Sequence, residues 1–140
     1  MTTISERPSK PVLLTGASGA LGTMLAQALS AQGWQLRLTD RLAFPAALPD
    51  GAAFTLADLE DEAAIRSLAE GCGTILHFGG VSMEEPFDAV LGPNIRGVYH
   101  VYEAARQVGA RVIFASSHHV AGFYERGVTV TADSPMRPDG

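Results

Sequence analysis

The spacing of apolar positions along this chain changes several times, and each change marks an element. Residues 11–15, Pro-Val-Leu-Leu-Thr, form a short unbroken apolar run, the pattern of a strand covered on both faces in a parallel sheet. Beyond it, Leu21, Met24, Leu25, Ala28 and Leu29 recur at helical spacing, and Gly33 supplies the stop. Residues 35–39 read as a second strand ending on Asp40, residues 42–51 with Pro45 and Pro49 as loop, and residues 53–56 as a weaker third strand. Asp58-Leu59-Glu60-Asp61 places carboxylates at a helix start, with Ile65, Leu68 and Ala69 as the buried face and Gly71 at the end. Residues 74–78 are a fourth strand closed by Gly79-Gly80. Pro86 opens another helix that Gly92-Pro93 should interrupt or kink, leaving 94–107 as the long segment with Val98, Val101, Tyr102 and Ala105 as its stripe. A fifth strand, 111–115, leads into Ser116-Ser117-His118-His119, and loop follows from Gly122.

Strands alternating with helices imply right-handed crossovers. The expectation is therefore an α/β chain, a Rossmann-type doubly wound parallel sheet of strand order 3-2-1-4-5, incomplete at the C-terminus. Residues 11–140 form the one domain, and the polar, aperiodic residues 1–10 read as a disordered tail.

Composition narrows the function. In 140 residues, 46% are hydrophobic and 18% charged, so the chain is globular. A net charge of −5 with scattered basic residues argues against nucleic acid or an anionic membrane surface as partner. One cysteine, Cys72, can make neither an internal disulfide nor a zinc cluster and reads as a small apolar filler. No apolar stretch approaches the roughly 18 residues of a membrane span, and the start lacks a signal-peptide core. The cytoplasm is the expected compartment.

The unusual residues gather at the carboxyl ends of the strands, where such sheets bind ligands. Gly16-x-x-Gly19-x-x-Gly22 opens a helix directly after a strand. There the free amides of residues such as Ala20, Leu21 and Gly22 and the positive helix end can hold a pyrophosphate; the bland alternative is a tight turn that only packs helix on sheet. Asp40, 18 residues past Gly22, would accept hydrogen bonds from the adenosine ribose and repel a 2′-phosphate, so NAD is expected over NADP. Arg41 reads either as a phosphate contact or as a solvated loop cation. Asp58, beside Leu59, could receive the adenine amino group, cap the next helix, or do both. Ser117 could hydrogen-bond the oxygen undergoing carbonyl chemistry or simply form a turn. On an extended path His118 and His119 would point to opposite sides, and no third ligand has metal-site spacing. Tyr99 and Tyr102 read as helix packing.

Taken together, TGASGALG, Asp40, Asp58-Leu59, His77-Phe78-Gly79-Gly80, Asn94-Ile95-x-Gly97 and Phe114-Ala115-Ser116-Ser117 resemble the extended short-chain dehydrogenases, in the NAD-dependent epimerase/dehydratase branch. The stretch HFGGVSMEEPFDAVLGPNIRGVYHVYEAAR and the later FASSHHVAGFY are most similar to bacterial uronate dehydrogenases. The resemblance implies NAD as cofactor, with Gly16, Gly19, Ala20, Leu21, Gly22, Asp40, Asp58, Leu59, Gly79 and Gly80 around it. It also implies a sugar acid as substrate, Ser117 as a catalytic serine, Ser82, Ser117 and His119 as substrate contacts, and a homo-oligomer in the full-length form. Two departures stand out. His118 occupies a position where many members have Asn. By the resemblance, the family's Tyr-x-x-x-Lys would come just beyond residue 140: none of Tyr99, Tyr102 and Tyr124 has Lys four residues on, and Lys10 is the only lysine. A nucleotide-sugar epimerase or dehydratase, or a non-catalytic NAD-binding module, are the alternatives.

Overall fold

The computed structural model describes residues 9–138, so most of the predicted N-terminal tail lies outside the described residues. Five strands, β1 (Val12–Thr15), β2 (Leu36–Asp40), β3 (Ala52–Leu56), β4 (Thr74–His77) and β5 (Arg111–Phe114), form one sheet of order β3-β2-β1-β4-β5. All neighbours pair in parallel. The helices are α1 (Ala20–Ala31), α2 (Glu62–Ala69), α3 (Phe87–Val90) and α4 (Gly97–Val108). The predicted fold class and strand order are those observed.

Alternation along β1 explains its unbroken apolar run. Leu13 packs into a layer with Ile65 and Ala69 of α2, Ile75 of β4 and Val101 and Ala105 of α4, whereas Val12 and Leu14 face Ala26 of α1, Leu36 and Leu38. Both faces are covered, so the run from Val12 to Leu14 is apolar throughout. Cys72 fills the first of these layers, and burial pushes its thiol up from the usual range.

Two predicted faces need correction. In α1, Leu21 and Met24 are more than half exposed, and the inward residues are Gly22 and Ala26. A Cβ on Gly22 would overlap the carbonyl oxygen of Gly16. Close approach of helix to turn therefore sets the rotation of α1, ahead of the bulk of its apolar residues. In α4, Gly97, Val101, Ala104 and Ala105 face inward, while Tyr102 turns outward to meet Phe114 with ring centroids 6.4 Å apart. Gly92-Pro93 interrupts the α-helical path, as expected, without ending it. Residues Leu91–Arg96 form a π-helical turn that joins α3 to α4 and takes up the proline, which has no N–H to give and would crowd a tighter turn.

Buried polar residues are few among the described residues: Thr15, Thr39 and His77 are all essentially inaccessible. Thr39 donates to the carbonyl of Thr55 at 2.9 Å. The Thr15 hydroxyl and His77 Nδ1 lie 2.6 Å apart, and burial pushes the imidazole down to about 4. Because the folded state holds this group neutral, the unfolded chain binds the extra proton between pH 6.5 and 4. Stability is complete above that window and falls as pH drops through it, by about 3 kcal/mol. Denaturant unfolding across this range should show the slope, and His77→Gln should lose that component while keeping the slope due to carboxylates. An identical pH profile in the variant would contradict the assignment.

The outer edge of β5 has no paired strand among the described residues, and Ile113, Phe114 and Tyr102 beside it are each more than 40% exposed. An open strand edge flanked by apolar surface is a template for association. Size-exclusion chromatography with light scattering should therefore show species larger than 14.7 kDa, with binding of a hydrophobic dye. A monodisperse monomer with a sharp melt and no dye binding would contradict this.

Candidate functional site

The three glycines after β1 divide into two kinds. Gly16 has φ of +71°, and a Cβ there would lie 2.5 Å from the amide nitrogen of Gly79. Gly22 is equally closed, against the backbone of Gly16 and Ala17. Gly19 is different: a Cβ there meets nothing nearer than the Gly16 carbonyl at 3.4 Å, an ordinary contact. Two glycines are thus required by packing, and the middle one faces open space over the start of α1.

That helix start is unoccupied by the protein's own chemistry. Gly19 is the N-cap and offers no side-chain acceptor, and the first turn of α1 carries no acidic residue. Thr23 N–H returns to Gly19 at 2.9 Å, so the amides of Ala20, Leu21 and Gly22 are the ones left free by helix geometry. Free donors, a positive helix end and no competing carboxylate make a cradle for an anion.

Asp40, at the end of β2, accepts from the amide of Ser18 at 3.0 Å through one oxygen and from that of Leu42 at 3.0 Å through the other. It therefore ties β2 to the glycine turn, a role that sequence reasoning missed because the Ser18 bond depends on the β1–β2 register. Arg41 is exposed beside it.

Asp58 does not cap α2. Asp61 is the N-cap and accepts from Ala64 N–H at 3.0 Å, whereas Asp58 accepts from Glu60 N–H at 3.0 Å and shapes the preceding turn. Leu59 is wedged between two glycines: a Cβ on Gly79 would lie 3.0 Å from its Cδ1, and one on Gly97 2.6 Å from its Cβ. Gly79 and Gly80 follow β4 directly. Asn94, in the π-helical turn, clamps the next residue by accepting from Val81 N–H at 2.7 Å and donating to Val81 O at 2.8 Å. The turn swings this side chain toward the loop, a function that the Asn-x-x-Gly spacing alone does not reveal.

Gly16, Gly19, Gly22, Asp40, Leu59 and Gly79 thus converge at the carboxyl edge of the sheet. Ser82, Ser117 and His119 are exposed on the loops beyond β4 and β5. Ser117 caps a short 3₁₀ turn, His118–Val120, with its Oγ accepting from His119 N–H at 3.1 Å. This turn corrects the expectation that His118 and His119 diverge: their rings lie 4.2 Å apart. A 3₁₀ path rotates successive residues by about a third of a turn, against the half-turn of a strand. No cluster of three or more potential metal ligands occurs among the described residues. Tyr99 and Tyr102 are exposed on α4, and Tyr124 donates its hydroxyl to Pro135 O at 2.5 Å. A shallow concavity of about 640 Å³ lies elsewhere, along β2, β3 and α2 beside Arg37, Ala53, Thr55, Ser67 and Leu68. It holds none of the converging residues, and its Arg37 guanidinium is spent on the carbonyls of Leu68 and Glu70.

The chain is similar in sequence and fold to known proteins. A uronate dehydrogenase of Pseudomonas syringae pv. tomato is 49% identical over 96% of this chain, and one of Pseudomonas putida is 50% identical over 97%. The chain spans about half the length of these curated relatives. A solved uronate dehydrogenase from Agrobacterium tumefaciens, a mutant complexed with NAD, superposes with a TM-score of 0.85 at 41% identity, covering 94% of this chain and 49% of that one. No helix among the described residues is long and apolar enough to cross a membrane. Residues 12–139 match the NAD dependent epimerase/dehydratase family, and the chain belongs to that family.

Proposed function

We propose that this chain forms the NAD-binding part of a uronate dehydrogenase-type oxidoreductase acting in the cytoplasm. The observation that carries the reading is the open Gly19 position between two closed glycines at a helix start with no side-chain cap and no acidic residue in its first turn. The amides of Ala20, Leu21 and Gly22 would receive the pyrophosphate, and Asp40 the adenosine ribose hydroxyls. Asp58 and Leu59 would border the adenine, and Gly79 and Gly80 would let the nicotinamide half approach β4. When bound, NAD supplies the hydride acceptor.

The substrate of this reading is a hexuronic acid such as glucuronate or galacturonate, oxidised at C1 to an aldarolactone. Support comes from the uronate dehydrogenases above and from the placement of Ser82, Ser117 and His119 on the two loops that flank the β4 and β5 ends. Ser117 already accepts from His119 N–H, which fixes its oxygen and leaves its proton to donate to a substrate oxygen.

Three outcomes follow. Gly19→Val should weaken NAD binding at least about tenfold, or about 1.4 kcal/mol, with helix content unchanged, because its methyls occupy the phosphate cradle. Equal affinity in calorimetric titration of a folded variant would refute the cradle. Wild-type chain should prefer NAD to NADP, and Asp40→Ala should narrow that gap; a native preference for NADP would shift the assignment to Arg41. NADH production from glucuronate by this chain alone should be negligible, since a positioned base typically contributes about 10²- to 10⁴-fold and Ser117 alone is not one. Robust turnover would point to another base, with His119 first in line.

A further inference from the structure

Gly79 is the first residue past the β4 ladder on the way to the candidate site. The main-chain ties end just before it: Phe78 N–H reaches Thr15 O at 3.2 Å, and Ala115 N–H reaches His77 O at 3.0 Å. The amide of Gly79 is held instead by a side chain, donating to Thr15 Oγ1 at 3.3 Å. Behind Thr15 stands His77, its Nδ1 2.6 Å from the same hydroxyl and its Nε2 without a partner among the described residues. Neither side chain is accessible to solvent.

Counting donors and acceptors fixes the direction of this chain. Were Nδ1 protonated, Thr15 Oγ1 would accept twice, its own proton would have no acceptor, and Nε2 would be a bare buried lone pair. With Nδ1 as acceptor, the hydroxyl accepts from Gly79 and donates to His77, and only Nε2–H is left unsatisfied. One orphaned group is less costly than two in a dry interior.

We propose that His77 is a positioning residue for the dinucleotide site, acting through the Thr15 hydroxyl on the Gly79 amide as Gly79 N–H to Thr15 Oγ1–H to His77 Nδ1. Displacement of Gly79 is transmitted at once to the phosphate turn, because a Cβ's width separates the two: a Cβ on Gly79 would lie 3.3 Å from Gly16 N, and one on Gly16 2.5 Å from Gly79 N. His77 touches none of the atoms expected to meet cofactor. It orients the donor that sets the distance between the β1 and β4 loops. The link to NAD rests on the reading given under Proposed function; the hydrogen-bond chain itself does not.

The test uses the chain without ligand first. Long-range ¹H–¹⁵N correlation should show His77 with Nδ1 unprotonated and Nε2 protonated. Amide exchange of Gly79, referenced to core amides such as Leu13 and Ile75, should accelerate selectively by about tenfold or more in Thr15→Val and His77→Leu. Thr15→Ser, which keeps the hydroxyl, and His77→Gln, which keeps an acceptor, should restore slow exchange. NAD affinity should fall and recover in the same order. An Nδ1-protonated imidazole, or acceleration spread uniformly over core amides with no excess at Gly79, overturns the proposal. If His77→Leu does not fold, the Val against Ser pair at Thr15 and the exchange behaviour of His77→Gln decide it. Selective acceleration at Gly79 in Thr15→Val and His77→Leu, together with a wild-type chain that binds no NAD, would uphold the hydrogen-bond chain and sink the cofactor reading.

Discussion

The glycine turn after β1 and the glycine pair after β4 occupy nearly the same space, and most of the molecule is arranged so that they can. A sheet of order β3-β2-β1-β4-β5 sends the chain one way from β1 and the other way from β3 to β4, so a crevice opens between the ends of β1 and β4. Gly16 and Gly79 close the floor of that crevice to within the width of a methyl group. Any side chain at Gly16 would push apart strands that are otherwise in register from Val12 with Thr74 to Thr15 with His77.

Several distant features answer to this contact. Gly22 lets α1 come down onto Gly16, which turns Leu21 and Met24 out to solvent and aims the free amides of the first turn across the crevice. Asp40 anchors the other side of the same turn through Ser18. Leu59 fills the gap between Gly79 and Gly97, and the π-helical turn carries Asn94 to where it grips Val81. Four elements thus meet at one backbone-to-backbone contact, and each brings a small residue or a short polar side chain to it.

How much of this was legible in the sequence varies with how local the signal is. Strand order, the glycine turn and the placement of Asp40 come from patterns within about thirty residues, and the structure shows all of them. Helix faces were read from the largest apolar residues and came out rotated in α1 and α4, because glycine and alanine, carrying little hydrophobic weight, decide close approach. The capping carboxylate is Asp61, one of three candidates in Asp58-Leu59-Glu60-Asp61 among which no local signal chooses. His77 gave no signal as a partner of Thr15. Their separation of 62 residues is bridged only by the β1–β4 register, which no short motif encodes.

The central claim is that an anion-bearing dinucleotide sits on the start of α1 with its ribose at Asp40. Mapping backbone amide chemical shifts during titration with NAD tests this most directly. The account predicts the largest changes at Ala20, Leu21 and Gly22, followed by Asp40 and Gly79, with little change along β2, β3 and α2. Changes centred on Ala53, Ser67 and Leu68, around the groove beside Arg37, with the α1 start unmoved, would contradict it.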